Sequence, residues 1–123
     1  MEFLGHEFQV NVTAYFRVVI AKTEDAEEAD EQSFEATKML FKDAEDVEVI
    51  DNKMVDIDQS NKHFTAVDEE IELIVNVVAY DQDDAFEKAE TIVDAETDTL
   101  PGVKYQGCEA YDYHWNSDKV VDW

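Results

Sequence analysis

Basic residues are scarce in this chain: its 123 residues include eight lysines and one arginine, against 32 acidic residues. The formal net charge is therefore −23 at neutral pH. A protein that binds nucleic acid through the phosphates needs a basic surface, so this shortage excludes direct nucleic-acid binding. The same shortage excludes docking on an anionic membrane surface, which attracts lysine and arginine side chains.

Cysteine and long apolar segments are also scarce. The single cysteine, Cys108, has no partner for an internal disulfide, which indicates a reducing compartment and a small buried hydrophobic side chain. Residues 1–6 show neither the basic start nor the apolar stretch of a signal peptide. No run approaches the roughly 18 consecutive apolar residues of a membrane-spanning helix. We therefore expect a cytoplasmic protein with no membrane partner.

Recognisable catalytic and metal-binding motifs are absent from the sequence. The three histidines are widely separated and lack the spacing of zinc ligands. Three acidic stretches, which begin at Asp56, Asp81 and Asp94, lack the glycine and the glutamate of a calcium-binding EF-hand loop. There is no nucleophile elbow, phosphate-binding loop or cysteine–histidine signature. We expect a protein that is not an enzyme, with no catalytic residues, no metal and no cofactor.

Apolar residues are abundant despite the charge. Hydrophobic residues make up 45% of the chain and aromatic residues 11%, which is enough to form a core and argues against disorder. The length suits one domain and is short for two. We therefore expect a single folded domain spanning residues 1–123 with an unusually negative exterior.

Two segments alternate between apolar and polar residues with the period of a half-buried β-strand. In residues 8–21 the apolar set comprises Val10, Val12, Ala14, Phe16, Val18 and Ile20. In residues 70–80 it comprises Ile71, Leu73, Val75, Val77 and Ala79. A shift of 59 residues superposes the two segments and aligns the acidic residues that follow each of them. The sequence therefore contains a repeat that is weak in identity and clear in pattern.

Each strand of the repeat is followed by a helical pattern and then by a further strand. The spacing predicts helices over about 24–43 and 82–96, and strands over 47–57 and 103–115. The strand at 47–57 is expected to be interrupted near Asp51. Acidic residues at both helix starts suit the positive end of the helix dipole.

The resulting order is two tandem βαβ units, about 8–58 and 70–115, joined by a polar segment at 58–69. This order predicts an α+β, ferredoxin-like βαββαβ fold: a four-stranded antiparallel sheet with two acidic helices on one face. An added edge strand, from residues 3–8 or from residues 120–123, is an alternative.

The negative charge is concentrated in the two helical segments. Residues 22–48 carry a net charge of −8, and residues 81–98 carry a net charge of −7. Several acids recur four residues apart, a spacing at which each like-charge pair destabilises a helix by roughly 0.2–0.5 kcal/mol. We therefore predict a partner-binding surface on the helices rather than a merely solvated face. Its residues are Glu24, Asp25, Glu27, Glu28, Glu31 and Glu35, followed in the second helix by Asp83, Asp84, Glu87, Glu90 and Asp94.

The total charge is comparable with that of duplex DNA of the same length. A compact domain of this size has a radius of gyration near 14 Å, hence a diameter of about 35 Å. B-DNA carries one phosphate charge per roughly 1.7 Å, or about 20 charges over that distance, against −23 for the protein. A groove lined with lysine and arginine should therefore attract this protein.

The two acidic segments, 22–48 and 81–98, resemble those of the DNA-mimic inhibitors that phages and mobile elements deploy, such as anti-restriction and anti-CRISPR proteins. The resemblance is to the class and carries over no motif residues. It implies a non-enzymatic inhibitor in the cytoplasm of a bacterial host cell. Such an inhibitor occupies the nucleic-acid-binding groove of a basic protein in a defence or DNA-processing complex.

An aromatic run near the carboxyl end, Tyr111, Tyr113 and Trp115, completes the predicted partner-binding set. We expect part of it on the sheet face opposite the helices, where aromatic side chains would anchor a target or a homodimer. Tyr15, Arg17, Ile74 and Asn76 are expected on the same face. Two alternatives remain open: an acidic dimeric phage accessory or assembly protein, and a salt-adapted small domain.

Overall fold

The computed structural model describes residues 4–97 and 100–122. It is an α+β structure with a four-stranded antiparallel sheet and two helices, as predicted. In chain order the elements are β1 (Leu4–Ala21), α1 (Ala26–Phe41), β2 (Val47–Asp58), β3 (Phe64–Ala79), α2 (Gln82–Glu96) and β4 (Val103–Asp122). The order of strands across the sheet is β2-β3-β1-β4. Strands β1 and β3 therefore lie at its centre, and β2 and β4 form its edges.

The alternation predicted from the sequence defines the two faces of the sheet. The register places Phe8 of β1 opposite Val77 of β3, and Val12 opposite Leu73. The apolar rows of both strands are buried, and they form one core. We call the other side of the sheet the open face, because it carries the intervening, mostly polar residues.

Both helices pack on the core side of the sheet through small residues. The buried residues of α1 are Ala29, Ser33, Thr37 and Phe41, and those of α2 are Ala85, Ala89 and Val93. Their spacing of four residues forms one stripe along each helix, and the alanine, serine and threonine side chains among them allow close approach to the strands. The two helices contact the sheet through the same core, so they cover the same face of it.

The strands are longer than the sequence pattern predicted. β1 begins at Leu4 and β3 begins at Phe64, so the connection before β3 shrinks from the predicted 58–69 to residues 59–63. The polar start of β3 is extended because β1 and β2 pair with it on both sides. β4 runs to Asp122 and pairs with Leu4–His6, so these segments extend β1 and β4 and do not form a separate edge strand. Residues 3 and 123, part of that alternative, lie outside the described residues.

α1 is shorter than predicted, Ala26–Phe41 against 24–43, because Asp25 caps its first turn. Neither helix is long and apolar enough to cross a membrane, within the part of the chain that the structure describes.

The predicted interruption of β2 is a pair of β-bulges. The register against β3 shifts between Val49 and Asp51 and again between Met54 and Asp56. The extra residues are Ile50 and Val55, whose exposed fractions are 46% and 54%. Bulges of this kind twist an edge strand and discourage pairing with another sheet.

The turn into β4 requires glycine at position 102. Gly102 has a φ of +80°, and a Cβ atom there would lie 2.8 Å from the carbonyl oxygen of Val19. The amide of Val19 donates a hydrogen bond of 2.7 Å to the carbonyl of Gly102. This close approach fixes the start of β4 against β1.

Candidate functional site

The amino-terminal turn of α1 uses two of the predicted partner-binding acids for its own structure. The carboxylate of Asp25 accepts hydrogen bonds from the amides of Glu27 and Glu28, at 2.9 and 3.4 Å. The carboxylate of Glu28 accepts from the hydroxyl of Thr23 at 3.2 Å and from the side chain of Gln32 at 2.9 Å. Asp25 and Glu28 therefore stabilise the start of the helix.

The outward side of α1 and the residue before its cap carry carboxylates that are not engaged with the rest of the protein. Glu24, Glu27 and Glu31 are exposed, and their carboxylates form no hydrogen bond or ion pair with any residue that the structure describes. Glu27 and Glu31 lie one turn apart, a rise of about 6 Å along the helix. Glu35 continues the row, but it forms an ion pair of 2.6 Å with Lys38.

Glu24 was predicted to lie in the first helix, over about 24–43. Glu24 precedes the capping residue Asp25 and lies outside α1. We call the three exposed residues Glu24, Glu27 and Glu31 the α1 acids.

Three of the five acids predicted to face a partner from α2 have hydrogen bonds or ion pairs with neighbouring parts of the protein. Asp84 accepts a hydrogen bond of 3.0 Å from the amide of Tyr80 and forms an ion pair of 3.4 Å with Lys88. Glu90 accepts a hydrogen bond of 3.1 Å from the amide of Ala110 in β4. Asp94 accepts a hydrogen bond of 2.5 Å from the hydroxyl of Tyr105.

Glu90 and Asp94 therefore join α2 to the edge strand β4. Of the α2 set, Asp83, Glu87 and Asp94 are exposed, and of these three Asp83 and Glu87 have carboxylates without a partner among the described residues.

The single cysteine lies in this α2–β4 contact and is half-buried. The thiol of Cys108 is 3.8 Å from a carboxylate oxygen of Asp94. Burial raises the pKa of Cys108, and the charges of Asp94 and Glu90 raise it further. Burial also raises the pKa of Tyr105, together with its hydrogen bond to Asp94. Cys108 is thus a protonated packing residue at neutral pH, without the thiolate that nucleophilic catalysis needs.

The open face carries a second acidic surface, which the sequence reasoning missed. Across the strands, Asp51 lies opposite Glu72, and Asp56 lies opposite Asp68. Like charges directly opposite each other destabilise a sheet. The acids whose register places them on this face are Glu7, Glu48, Asp51, Asp56, Asp58, Asp68, Glu70, Glu72, Glu109 and Asp112, and the basic residues are Arg17, Lys53 and Lys104. The alternation of Asp68, Glu70 and Glu72 with buried residues was the signal for it.

Several of these open-face acids have internal partners. Glu72 accepts hydrogen bonds from the hydroxyls of Thr13 at 2.7 Å and Tyr111 at 2.6 Å. The hydrogen bond to Glu72 raises the pKa of Tyr111, with a further contribution from burial. Arg17 lies 3.9 Å from Asp68, and the strand register places Lys53 opposite Glu70. These contacts offset part of the negative charge on the open face, whereas the α1 acids have no such contacts among the described residues.

The aromatic run of β4 divides between the two sides of the sheet. Tyr111 lies on the open face, as expected for part of the run, and so do Tyr15, Arg17, Ile74 and Asn76. Tyr113 packs against Phe86 of α2, with ring centres 6.0 Å apart, and Trp115 stacks on Phe8 at 6.0 Å. The side chains of all three remain substantially exposed, at 51% for Tyr111, 37% for Tyr113 and 47% for Trp115.

A cleft of about 940 Å³ lies beside the carboxyl end of β3 and the first turns of α2. Its polar lining includes Glu87 and Lys88, and the ammonium group of Lys88 donates a hydrogen bond of 2.9 Å to the carbonyl of Val78. The residues that line it include no histidine, cysteine or serine. In the described ranges, no group of three or more His, Cys, Asp or Glu residues is arranged to hold a metal ion.

No protein-family model, curated protein or solved structure matches this chain. Its function is therefore inferred from the positions, contacts and charges of its side chains.

Proposed function

We propose that this protein is a non-enzymatic DNA-mimic inhibitor, which occupies the nucleic-acid-binding groove of a bacterial defence or DNA-processing complex. One observation carries the proposal: the α1 acids are exposed and have no partner among the described residues. Elsewhere on the helices, most of the predicted acids are engaged in caps, ion pairs or contacts with β4.

The arrangement of elements supports a ferredoxin-like fold, and we include that fold in the proposal. The chain order is βαββαβ, and the sheet order is β2-β3-β1-β4. In this fold both helices form one layer. The α1 acids and the exposed Asp83 and Glu87 of α2 then belong to one surface.

The cost of the acidic row on α1 supports a role for it. Glu27 and Glu31 repel each other, and each such pair destabilises a helix by roughly 0.2–0.5 kcal/mol. Lys38 forms an ion pair of 2.6 Å with Glu35, so this helix accepts a lysine beside the acidic row. Glu27 and Glu31 have no such basic neighbour among the described residues. Their uncompensated charge is therefore consistent with a partner that supplies positive charge.

The partner that fits is a groove lined with lysine and arginine side chains. Such a groove binds DNA largely through electrostatic attraction and release of counterions, and it attracts a protein of net charge −23 in the same way. Tyr113 and Trp115 supply exposed aromatic surface, which is common at the centres of protein interfaces. Their contribution would be less sensitive to salt than that of the carboxylates.

Affinity capture at low salt tests the proposal. Immobilised wild-type protein is exposed to a bacterial lysate, and bound proteins are eluted with duplex DNA and identified by mass spectrometry. We expect nucleic-acid-binding proteins that DNA displaces. The Glu27→Lys/Glu31→Lys variant should capture at most about a tenth of the amount of these proteins that the wild type captures.

The matched control is Asp51→Lys/Asp56→Lys, which changes the net charge equally but lies on the open face. Equal losses from both variants would mean that total charge, and not the α1 surface, governs binding. Capture that is unaffected by either variant or by DNA would contradict the proposed function.

A second candidate, an acidic dimeric accessory or assembly protein, is favoured by Ile50 and Val55. These apolar side chains are exposed on the edge strand β2. This candidate predicts a mass near twice 14.2 kDa in solution, measured by light scattering. It also predicts that Ile50→Lys/Val55→Lys halves that mass, whereas the inhibitor proposal predicts no effect of this variant on target binding.

A further inference from the structure

The carboxyl group of Glu69 is buried on the core side of the sheet. It lies on β3 in the row that continues with Ile71 and Leu73, and only 1% of it is exposed. Its cross-strand neighbours, Phe16 on β1 and Met54 on β2, are uncharged. No feature of the proposed function accounts for an acid at this position.

The side chain of Asn52 links Glu69 to α1. Its amide nitrogen, on β2, donates to Asp30 of α1 at 2.9 Å and to Glu69 at 3.3 Å. The second carboxyl oxygen of Glu69, Oε1, is buried and has no hydrogen-bond partner among the described residues. Two carboxyl groups from two elements therefore share one donor, and a buried oxygen is left unsatisfied.

Two ionised carboxylates cannot both be accommodated here without a cation or a proton. Asp30 is the ionisable group that faces Glu69 from α1, while β1 and β2 present uncharged side chains. Burial raises the pKa of Glu69 to about 8, and the hydrogen bond and charge of Asp30 raise it as well. A proton held by Glu69 removes the repulsion and supplies the missing donor.

We propose that Asp30, Asn52 and Glu69 form a proton-dependent clasp that holds α1 against the sheet. With the proton bound, the three side chains connect α1, β2 and β3. When the proton is lost, the buried negative charge of Glu69 faces the half-buried negative charge of Asp30, and α1 separates more readily from the strands. The proposal does not depend on the DNA-mimic function, because none of the three residues belongs to the α1 acids.

The direction of the pH dependence follows from the raised pKa. Between the ordinary pKa of 4.5 and the folded value of about 8, the folded protein holds a proton that the opened form releases. Rising pH therefore favours opening, by up to about tenfold in the opening constant for each pH unit. Above about pH 8 the effect of this group levels off, because both forms are then ionised.

A direct test is the side-chain carboxyl ¹³C chemical shift of Glu69 in the wild-type protein, followed by NMR as a function of pH. This measurement requires no variant that could fail to fold. We expect a titration midpoint near pH 8. A midpoint at the ordinary value of 4.5 would overturn the clasp.

A second test compares Glu69→Gln, which is neutral at every pH, with Glu70→Gln on the open face as a matched control. The readout is amide hydrogen exchange in α1 between about pH 5.5 and pH 8.5, corrected for the intrinsic rate. The opening constant of the wild type and of Glu70→Gln should rise by about 100-fold more than that of Glu69→Gln. An equal rise in all three proteins would overturn the proposal.

The same experiment separates a proton from a metal ion. If calcium or magnesium chloride at about pH 8.5 restores the protection of α1 in the wild type but not in Glu69→Gln, the group between the carboxyls is a cation. That outcome would also overturn the proton-dependent clasp. No effect of either salt, together with the pH-dependent opening, supports it.

Discussion

At the scale of single residues, acidic side chains have different structural roles in this protein. Asp25 caps α1, Glu90 binds an amide of β4, and Glu27 has an exposed carboxylate without a partner among the described residues. The difference comes from the position of each side chain relative to unpaired backbone amides. The acids that can indicate a binding surface are therefore those without hydrogen bonds or ion pairs inside the protein.

Replacement of the capping residue should destabilise the protein. Asp25→Ala removes the acceptor for the amides of Glu27 and Glu28. We expect a decrease of about 1 kcal/mol in the free energy of unfolding, measured by urea denaturation. Glu24→Ala removes the same charge from the neighbouring residue without removing a hydrogen bond, and it should change stability little. Equal effects of the two variants would contradict the capping role.

Gly102→Ala should be more destabilising than Gly107→Ala. Both glycines have positive φ angles, +80° and +113°, but a Cβ atom collides with backbone only at position 102. We expect a loss of about 1–3 kcal/mol for Gly102→Ala in thermal or chemical denaturation. A larger loss for Gly107→Ala would show that the turn into β4 does not depend on this close approach.

At the scale of the elements, alternation and helical spacing were enough to predict the core. The buried rows of β1 and β3 and the bounds of α2 agree with the sequence pattern, because burial on one face imposes a period that the sequence records. The start of β3 was missed because residues 65–70 are largely polar. Their strand conformation depends on pairing with both neighbours.

The candidate site was less predictable than the core. Nothing local indicates that Glu90 and Asp94 meet β4, since the amide of Ala110 and the hydroxyl of Tyr105 approach them only in the folded chain. The exposure of Glu27 and Glu31, in contrast, follows from the helical period, because they occupy the side opposite Ala29 and Ser33. Residue spacing therefore predicts which side of a helix is exposed, but it does not predict contacts between elements that are distant in sequence.

The proposed role of α1 predicts that stability and binding change in opposite directions. Glu31→Lys lies beyond the first turn of α1 and relieves the repulsion with Glu27, so it should raise the free energy of unfolding by roughly 0.2–0.5 kcal/mol, measured by urea denaturation. The same variant should weaken binding to the captured target. Glu90→Gln supplies the contrast: it should lower stability, because it weakens the bond to the amide of Ala110. A Glu31→Lys protein that is less stable than the wild type would contradict this account of the helix.

At the scale of the whole molecule, a net charge of −23 surrounds a largely apolar core. The acids occupy both the helix side and the open face, so the charge is more widely distributed than the sequence segments indicated. Self-repulsion of this size opposes compactness, and it steers the protein toward positively charged surfaces. The same charge therefore affects folding and association together.

Salt should stabilise the isolated protein moderately. From about 0.01 M to about 1 M sodium chloride, the screening length falls from roughly 30 Å to roughly 3 Å, which suppresses the repulsion among the acids. We expect the thermal midpoint, followed by circular dichroism, to rise over this range while the protein stays folded in dilute buffer. Unfolding in dilute buffer would instead favour the salt-adapted domain.

The central claim is that the protein and DNA compete for the same groove, and competition is its most direct test. The apparent dissociation constant between the protein and a captured target is measured at increasing concentrations of duplex DNA. The DNA-mimic account predicts a constant that rises in proportion to the DNA concentration, without limit. A constant that levels off, with target, DNA and protein together in one complex, would contradict it.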